Sequence, residues 1–363
     1  MKKVLVILGP TATGKTDVAL RLSANWRITQ GKPFNFPQCE LVSCDSRQIY
    51  TGLDIGTGKM PSNNHPELVR PEQDRRVSGS GSRNKFGMTN RNDIKRGKGY
   101  WEINRIKIWM YDVCDPKIQF NVKDYVIHAE KVIEDILKRG KLPIIVGGTG
   151  FYLKALLEGL PNLEIPINKK LRRELEKLNL KALQNKLQKL SPEKWENLNN
   201  SDRQNPRRFI RAIEIASTNS TSEEFLRATI RGGFKKYDVL KTGLTAPREV
   251  LNKRIDSRLV SRLDQGMVEE AKNLHKDGLS FTRMKELGLE YGMLAKLLAG
   301  EISENQLVDQ LSAKIHQYAK RQMTWFRSEN SVFWFDITSK NWTPKMEKIV
   351  LKWYDGGNDN TQN

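Results

Sequence analysis

Eight consecutive residues near the start of the chain, Gly9-Pro10-Thr11-Ala12-Thr13-Gly14-Lys15-Thr16, follow the pattern G-x-x-x-x-G-K-[ST]. A loop of this kind grips phosphate. Its glycines let successive backbone N–H groups turn inward on an anion, and a helix starting at its end adds a positive N-terminus. Lys15 is placed to reach terminal phosphoryl oxygens, and the Thr16 hydroxyl to ligate Mg2+. A second polar cluster is Asp45-Ser46-Arg47-Gln48-Ile49-Tyr50. An aspartate there can take a proton from an attacking amine or hydroxyl, or it can simply cap a helix. A third is Gly147-Gly148-Thr149-Gly150, which offers a hydroxyl at Thr149 and close backbone approach, or an ordinary strand-to-helix turn.

What the phosphate belongs to is left open by these residues. A nucleotide hydrolase or kinase usually carries an apolar strand ending in an Asp that organises Mg2+. The run Leu142–Val146 ends in glycines instead, and Lys107 interrupts the substitute Ile106–Asp112. The loop can therefore hold ATP or the diphosphate of another activated donor, since a departing diphosphate needs the same amides, lysine and metal.

The elements that must position these groups follow from the apolar pattern. Val4–Leu8 is a continuous apolar run closed by Gly9, the signature of a parallel strand covered on both faces. A helix is expected from about Thr16 to Asn25, and Glu40–Ser43 reads as a second strand ending at the Asp45 cluster. Asn121 can cap a helix whose apolar positions Val122, Val126, Ala129, Ile133, Ile136 and Leu137 recur every three or four residues, with Gly140 closing it. Leu142–Val146 is the next strand. Alternating strand and helix argue for an α/β class: a P-loop NTPase-like parallel sheet flanked by helices, with an inserted helical subdomain.

The expected organisation is a core over residues 1–160 and a helical insertion over 161–233. A return to the core with C-terminal helices over 234–340 and a last helix with a frayed tail over 341–363 complete it. Ser62–Lys107, rich in Lys and Arg and holding Ser-Gly-Ser-Gly-Ser, reads as a flexible basic loop within the core. Ser191-Pro192-Glu193 and Asn205-Pro206 read as helix caps followed by a first-turn proline. Val239–Thr245 and Val332–Phe335 are expected strands. Ser303-Glu304-Asn305-Gln306 fits a capping box, followed by the stripe Leu307, Leu311, Ile315, Tyr318, Gln322 and Trp325.

Composition narrows the partner. The 62 Lys and Arg against 42 Asp and Glu give a formal net charge of +20, which fits a polyanion such as nucleic acid. Three cysteines without a C-x-x-C pair support neither a disulfide framework nor a zinc site, so a reducing, cytoplasmic setting is expected. No run approaches the roughly 18 apolar residues of a membrane span. Met1–Leu8 is too short in its apolar part for a signal peptide.

Taken together the segments resemble the tRNA dimethylallyltransferases, also called tRNA isopentenyltransferases, of bacterial type. The resemblance is carried by Gly9–Thr16, Asp45-Ser46-x-Gln48-Ile49-Tyr50, Asp54-Ile55-Gly56-Thr57-Gly58-Lys59 and Val146–Tyr152 running into Ala155–Leu160. Asn205–Glu214 and Tyr318–Arg327 complete it. It implies transfer of a dimethylallyl group from dimethylallyl diphosphate to N6 of the adenosine just 3′ of the anticodon. Asp45 is carried over as general base, with Thr149 beside the reacting groups and Mg2+ on the diphosphate. Carried over as tRNA contacts are Asp45, Ser46, Arg47, Gln48, Thr149, Arg172, Arg207, Arg208, Phe209, Ile210 and Arg211. A tRNA anticodon loop, the prenyl donor, a monomeric state and no membrane partner are implied with them.

Departures from the family pattern are the segment Leu287-Gly288-Leu289-Glu290-Tyr291-Gly292, which lacks an expected arginine, the long basic insertion, and Ile108 in place of a frequent histidine. The competing readings are a phosphate-loop kinase acting on a nucleotide or RNA end, an adenylate prenyltransferase, and a non-catalytic RNA-binding protein. The net charge and the arginine cluster at Arg207–Arg211 argue against a mononucleotide acceptor, which needs neither.

Overall fold

An apolar strand buried on both faces belongs at the centre of a sheet, and Lys2–Leu8 (β1) occupies that place in the computed structural model, with Val4–Leu8 at most 1% exposed. The structure describes residues 1–25, 38–59, 94–160, 162–163, 165–200, 202–218 and 237–356. After β1 come α1 (Lys15–Asn25), β2 (Cys39–Ser43), the short strands β3 (Ile94–Gly97), β4 (Tyr100–Ile103) and β5 (Ile106–Trp109), then α2 (Val122–Lys138), β6 (Leu142–Gly147) and α3 (Gly150–Glu158). The chain continues through α4 (Lys169–Leu175), α5 (Leu180–Leu190), α6 (Pro192–Glu196) and α7 (Pro206–Ala216). It then forms β7 (Tyr237–Thr245), α8 (Arg248–Asp264), α9 (Met267–Lys276), α10 (Phe281–Glu286), α11 (Leu289–Leu298), α12 (Glu304–Arg327), β8 (Val332–Asp336) and α13 (Trp342–Tyr354).

Among the described residues the strands form one eight-stranded sheet of order β3-β4-β5-β2-β6-β1-β7-β8. Six strands, β5 to β8 in that order, are parallel; β3 and β4 add an antiparallel hairpin at one edge. Parallel pairing brings the C-terminal ends of β1, β2 and β6 to the same side, the side on which open α/β sheets bind ligands. Leu8 sits opposite Gly147 and Ser43 opposite Val146, so the three polar segments that follow them emerge side by side.

The expected basic loop over 62–107 ends sooner than the composition suggested: from Ile94 onward the chain is strand, and residues 62–93 lie outside the described residues. The alternation of Trp101, Ile103, Ile106 and Ile108 with Tyr100, Glu102, Lys107 and Trp109 explains the difference, because it buries the first set in the sheet's core and leaves the second half-exposed. A count of charges over a long window hides a period-2 pattern of four residues. The expected frayed tail beyond Gly356 also lies outside the described residues.

Helix boundaries follow their caps. Asn121 accepts from the amides of Lys123 and Asp124 and closes a capping box at the start of α2; Ser303 and Gln306 do the same at α12. Asn205 caps α7 through the Arg207 amide, whereas Ser191 makes no side-chain cap bond and only the proline marks α6. The buried stripe of α12 runs Leu307, Leu311, Ile315, Ala319, Gln322 and Phe326, so Tyr318 and Trp325 stand at its margin rather than on it.

The chain divides into two compact units, Met1–Leu153 with Phe234–Asn363, and Lys154–Gly233. The second has its own core of Leu175, Leu183, Leu187, Phe209, Ile210, Ala212 and Ile213.

Candidate active site

The phosphate loop turns through left-handed backbone at Ala12 (φ 66°) and Gly14 (φ 79°), the curl that aims successive amides into one concavity. Thr13 Oγ1 and Lys15 Nζ both donate to the Pro10 carbonyl, at 2.9 and 2.7 Å. Lys15 is thereby held over the loop. Burial pulls its ammonium down to about 7, the charge of Arg258 adds to that, and the Asp45 carboxylate partly opposes it. Asp45 therefore lies within electrostatic reach of the lysine that would hold phosphate. Thr16 opens the first turn of α1 beside it.

Asp45 follows β2. Its Oδ1 accepts from the amides of Arg47 (2.8 Å) and Gln48 (3.4 Å), which fixes the carboxylate's direction and leaves Oδ2 outside that turn. Capping and chemistry are thus compatible here. Gln48 is braced between Ser43 Oγ and the Thr57 carbonyl, and Arg47 donates to the Glu286 carbonyl. Thr149, on the neighbouring strand end, accepts from the Ser46 amide at 3.2 Å and donates its own amide to the Cys44 carbonyl at 3.2 Å. The closeness of these two loops dictates Gly147: a Cβ there would stand 2.1 Å from the Cys44 carbonyl oxygen.

Several contributors escaped the sequence reading. Tyr318 lies close to the Thr149 side chain, and its phenol is pushed well up by burial and then by the Asp45 charge. Gln322 accepts from the Thr11 amide and donates to the Gly148 carbonyl. Arg258 lies half-buried near the loop; desolvation and the charges of Arg262 and Arg254 lower it to about 10, against the pull of Asp17. The i, i+4, i+8 spacing of Arg254, Arg258 and Arg262 on α8 was the available signal, since it puts three guanidinium groups along one face.

Asp112, weighed as a metal-organising acid, is already committed. Lys59 Nζ donates to its Oδ1 and Trp101 Nε1 to its Oδ2, both at 2.5 Å. Lys59 is 2% exposed and also reaches Asp54 and the Tyr50 carbonyl. The Asp54–Lys59 segment is thus a buried brace, held further by Glu270, which accepts from the amides of Asp54, Ile55 and Gly56 and from the Tyr291 hydroxyl. Glu290, in the departing segment, pairs with Arg262 at 3.4 Å.

Among the described residues no three His, Cys, Asp or Glu side chains gather as a metal cage. The donors at the loop, one threonine hydroxyl with Asp45 within electrostatic reach of Lys15, suit Mg2+, which keeps waters and takes few protein ligands alongside phosphate oxygens.

In the second unit the carried-over tRNA contacts separate. Arg207 and Arg208 lie on the exposed side of α7, Arg208 paired with Asp202. Phe209 and Ile210 are corrected to core residues, 0% and 8% exposed, because the amphipathic period of α7 turns them inward. Arg172 and Arg211 are gripped by the buried Glu214: Arg172 through Nε and Nη2 at 3.0 and 2.8 Å, Arg211 through Nη1 at 2.6 Å. Arg211 Nη2 also donates to the carbonyls of Asn162 and Ile165. Burial alone would raise the Glu214 carboxyl; these guanidinium groups and the Asn168 amide outweigh it and hold the carboxyl low. Both arginines tie the unit together first.

A phosphate loop on a parallel sheet, with an acid and a hydroxyl presented by the adjoining strand ends, defines an α/β phosphate-loop protein equipped for group transfer. The sequence model of the family described as IPP transferase matches residues 99–329. The chain is 34% identical over 337 residues to tRNA dimethylallyltransferase 1 of Geotalea daltonii, covering 92% of this chain and 90% of that one. It is 36% identical over 329 residues to tRNA dimethylallyltransferase 2 of Treponema denticola, covering 89% and 91%. Among solved structures, the full-length tRNA isopentenylpyrophosphate transferase of Bacillus halodurans superposes with a TM-score of 0.60 at 27% identity, over 98% of this chain and 97% of that one. A eukaryotic dimethylallyltransferase solved acting on tRNA shares the fold, with a TM-score of 0.69 at 22% identity over 98% and 80%. The chain belongs to the IPP transferase family.

Proposed function

We propose that this chain transfers a dimethylallyl group from dimethylallyl diphosphate to N6 of the adenosine 3′-adjacent to the anticodon of tRNA. The observation that carries the proposal is the pairing at one sheet edge of an anion cradle with an oriented carboxylate, Asp45, close enough to shift Lys15.

In this reading the loop amides, Lys15 and Arg258 hold the donor's diphosphate. As the allylic C–O bond breaks, its electron pair leaves on the diphosphate oxygen, where the fixed cations meet the growing charge. Mg2+ held by Thr16 and the phosphate oxygens would add a Lewis acid to the same charge. The adenine, drawn out of its stack to reach the pocket, forms the C–N bond with N6. Its amine is a weak nucleophile because the lone pair is delocalised into the ring, so loss of an N6 proton to Asp45 Oδ2 accompanies bond formation. Thr149, fixed by the Ser46 amide and the Cys44 carbonyl, lies on the acceptor side of the site. Ser46, Arg47 and Gln48 border the pocket that takes the base, and Arg207 and Arg208 contribute sequence-independent phosphate contacts. We place the reaction in the cytoplasm, with a monomeric enzyme, and assign the loop to the prenyl donor rather than to ATP. Among the described residues no helix is long and apolar enough to cross a membrane.

The test incubates purified protein with unmodified tRNA and either labelled dimethylallyl diphosphate or labelled ATP, followed by nucleoside mass spectrometry. N6-prenyladenosine 3′ of the anticodon is the expected product. Phosphoryl transfer without prenyl transfer would overturn the assignment.

A further inference from the structure

One side chain spans the two halves of the site. Gln322, on α12, is 7% exposed, and both ends of its amide are engaged. Oε1 accepts from the Thr11 amide at 2.8 Å, and Nε2 donates to the Gly148 carbonyl at 2.7 Å. A donor at one end and an acceptor at the other admit a single amide orientation. Thr11 belongs to the phosphate loop, and Gly148 immediately precedes Thr149. Gly148 has no side chain for a reason: a Cβ there would stand 2.4 Å from Gln322 Nε2. One turn earlier on the same helix, Tyr318 lies close to the Thr149 side chain. A primary amide is costly to bury unless both its ends are satisfied, and an apolar side chain of the same size would fill the space as well.

We propose that Gln322 is a positioning residue that sets the separation between the diphosphate cradle and the acceptor end of the site. The inference rests on the prenyl-transfer reading above. Each half keeps its own internal bonds without Gln322: Lys15 and Thr13 hold Pro10, and Ser46 and Cys44 hold Thr149. What the amide adds is their mutual distance. Attack requires reacting atoms about 3–3.5 Å apart, and a displacement of about 1 Å costs on the order of a hundredfold in rate.

Loosening the strut gives water a chance at the allylic carbon. The C–O bond to diphosphate then breaks, a water oxygen bonds the carbon, and the water proton passes to solvent, giving dimethylallyl alcohol instead of prenylated tRNA. The ratio of alcohol to modified tRNA does not depend on how much enzyme is folded, so it separates positioning from stability.

The experiment compares wild type with Gln322→Met, which keeps the side chain's length and apolar volume and removes both hydrogen bonds. Labelled donor and tRNA are supplied, and kcat, both KM values and the two products are measured. The expected result is a kcat lowered about ten- to a hundredfold, KM values within about threefold, and a clearly raised alcohol fraction. A second pair of variants tests the contact itself. Gly148→Ala alone should reproduce the defect by displacing the amide, and in a Gln322→Ala background it should cost little more. Unchanged kcat, a fall in kcat with an unchanged product ratio, or independent effects of the Gly148 and Gln322 variants would each overturn the proposal while leaving the function standing. A wild-type protein that prenylates no tRNA would remove the functional reading, and this inference with it.

Discussion

The lysine of the phosphate loop should take up a proton when the donor binds. Burial, with Arg258 adding to it, lowers Lys15 from 10.5 to about 7 in the free protein. At pH 8 a group titrating near 7 carries roughly a tenth of a proton. A diphosphate in the cradle puts negative charge against the ammonium and pushes its pKa back up, so binding at pH 8 should draw in roughly 0.9 proton per site. Calorimetric titration of an unreactive thiolodiphosphate analogue of the donor, in buffers of contrasting ionisation enthalpy, reads that number directly. A phosphate monoester group titrates near 6 and is already ionised at pH 8, so it does not mask the effect. Affinity should fall by up to about tenfold per pH unit above 7, and Lys15→Met should abolish the buffer dependence. The sign for folding follows from the same shift. Between about 7 and 10.5 the unfolded chain binds more protons than the native one, so the cost of burying Lys15 is full below that window and fades as pH rises through it. Identical binding heats in every buffer for the wild type would refute the argument.

Further outcomes can be checked independently. Asp45→Ala should lower kcat by about 10²–10⁴ with tRNA affinity nearly unchanged, measured by single-turnover kinetics and filter binding. Glu40 is pulled down to about 2: burial would raise it, but Arg139, Lys141 and Trp109 donate to it. Its contribution to stability should hold above about 4.5 and vanish as pH falls towards 2, so Glu40→Gln should shift the urea midpoint at pH 7 far more than at pH 2. Glu214→Ala strands two half-buried guanidinium groups and should destabilise the second unit by about 3–5 kcal/mol in denaturant titration. Arg207→Ala should leave that stability alone and reduce the salt slope of tRNA binding by about one.

The curl of the loop was legible because Gly, Lys and Thr at fixed spacing determine it locally, and Val4–Leu8 and Leu142–Val146 announce buried parallel strands by apolar content alone. Asn121 and Ser303 were legible for the same reason, since a cap bonds residues two or three positions away. What stayed hidden depends on partners distant in the chain. Arg211 and Arg172 look like solvated RNA contacts until Glu214 is seen between them, and Asp112 looks available until Lys59 and Trp101 reach it. Gln322 sat on an apolar stripe with nothing nearby in sequence to reveal its two loops. The β4–β5 pairing was obscured by the charged residues on its open face.

The pairing of β1 with β7 has a consequence for synthesis. Gly9 sits against the Leu244 carbonyl, where a Cβ would stand 2.4 Å from its oxygen, and the Thr11 amide waits for a glutamine 311 residues downstream. At about 5–20 residues per second a ribosome needs roughly 15–60 s to deliver that partner. This glycine-rich segment is thus among the first to emerge and among the last to be finished. A nascent chain halted before α12 would lack the amide that ties Thr11 to Gly148, so the spacing of these two loops should be set only as translation nears its close.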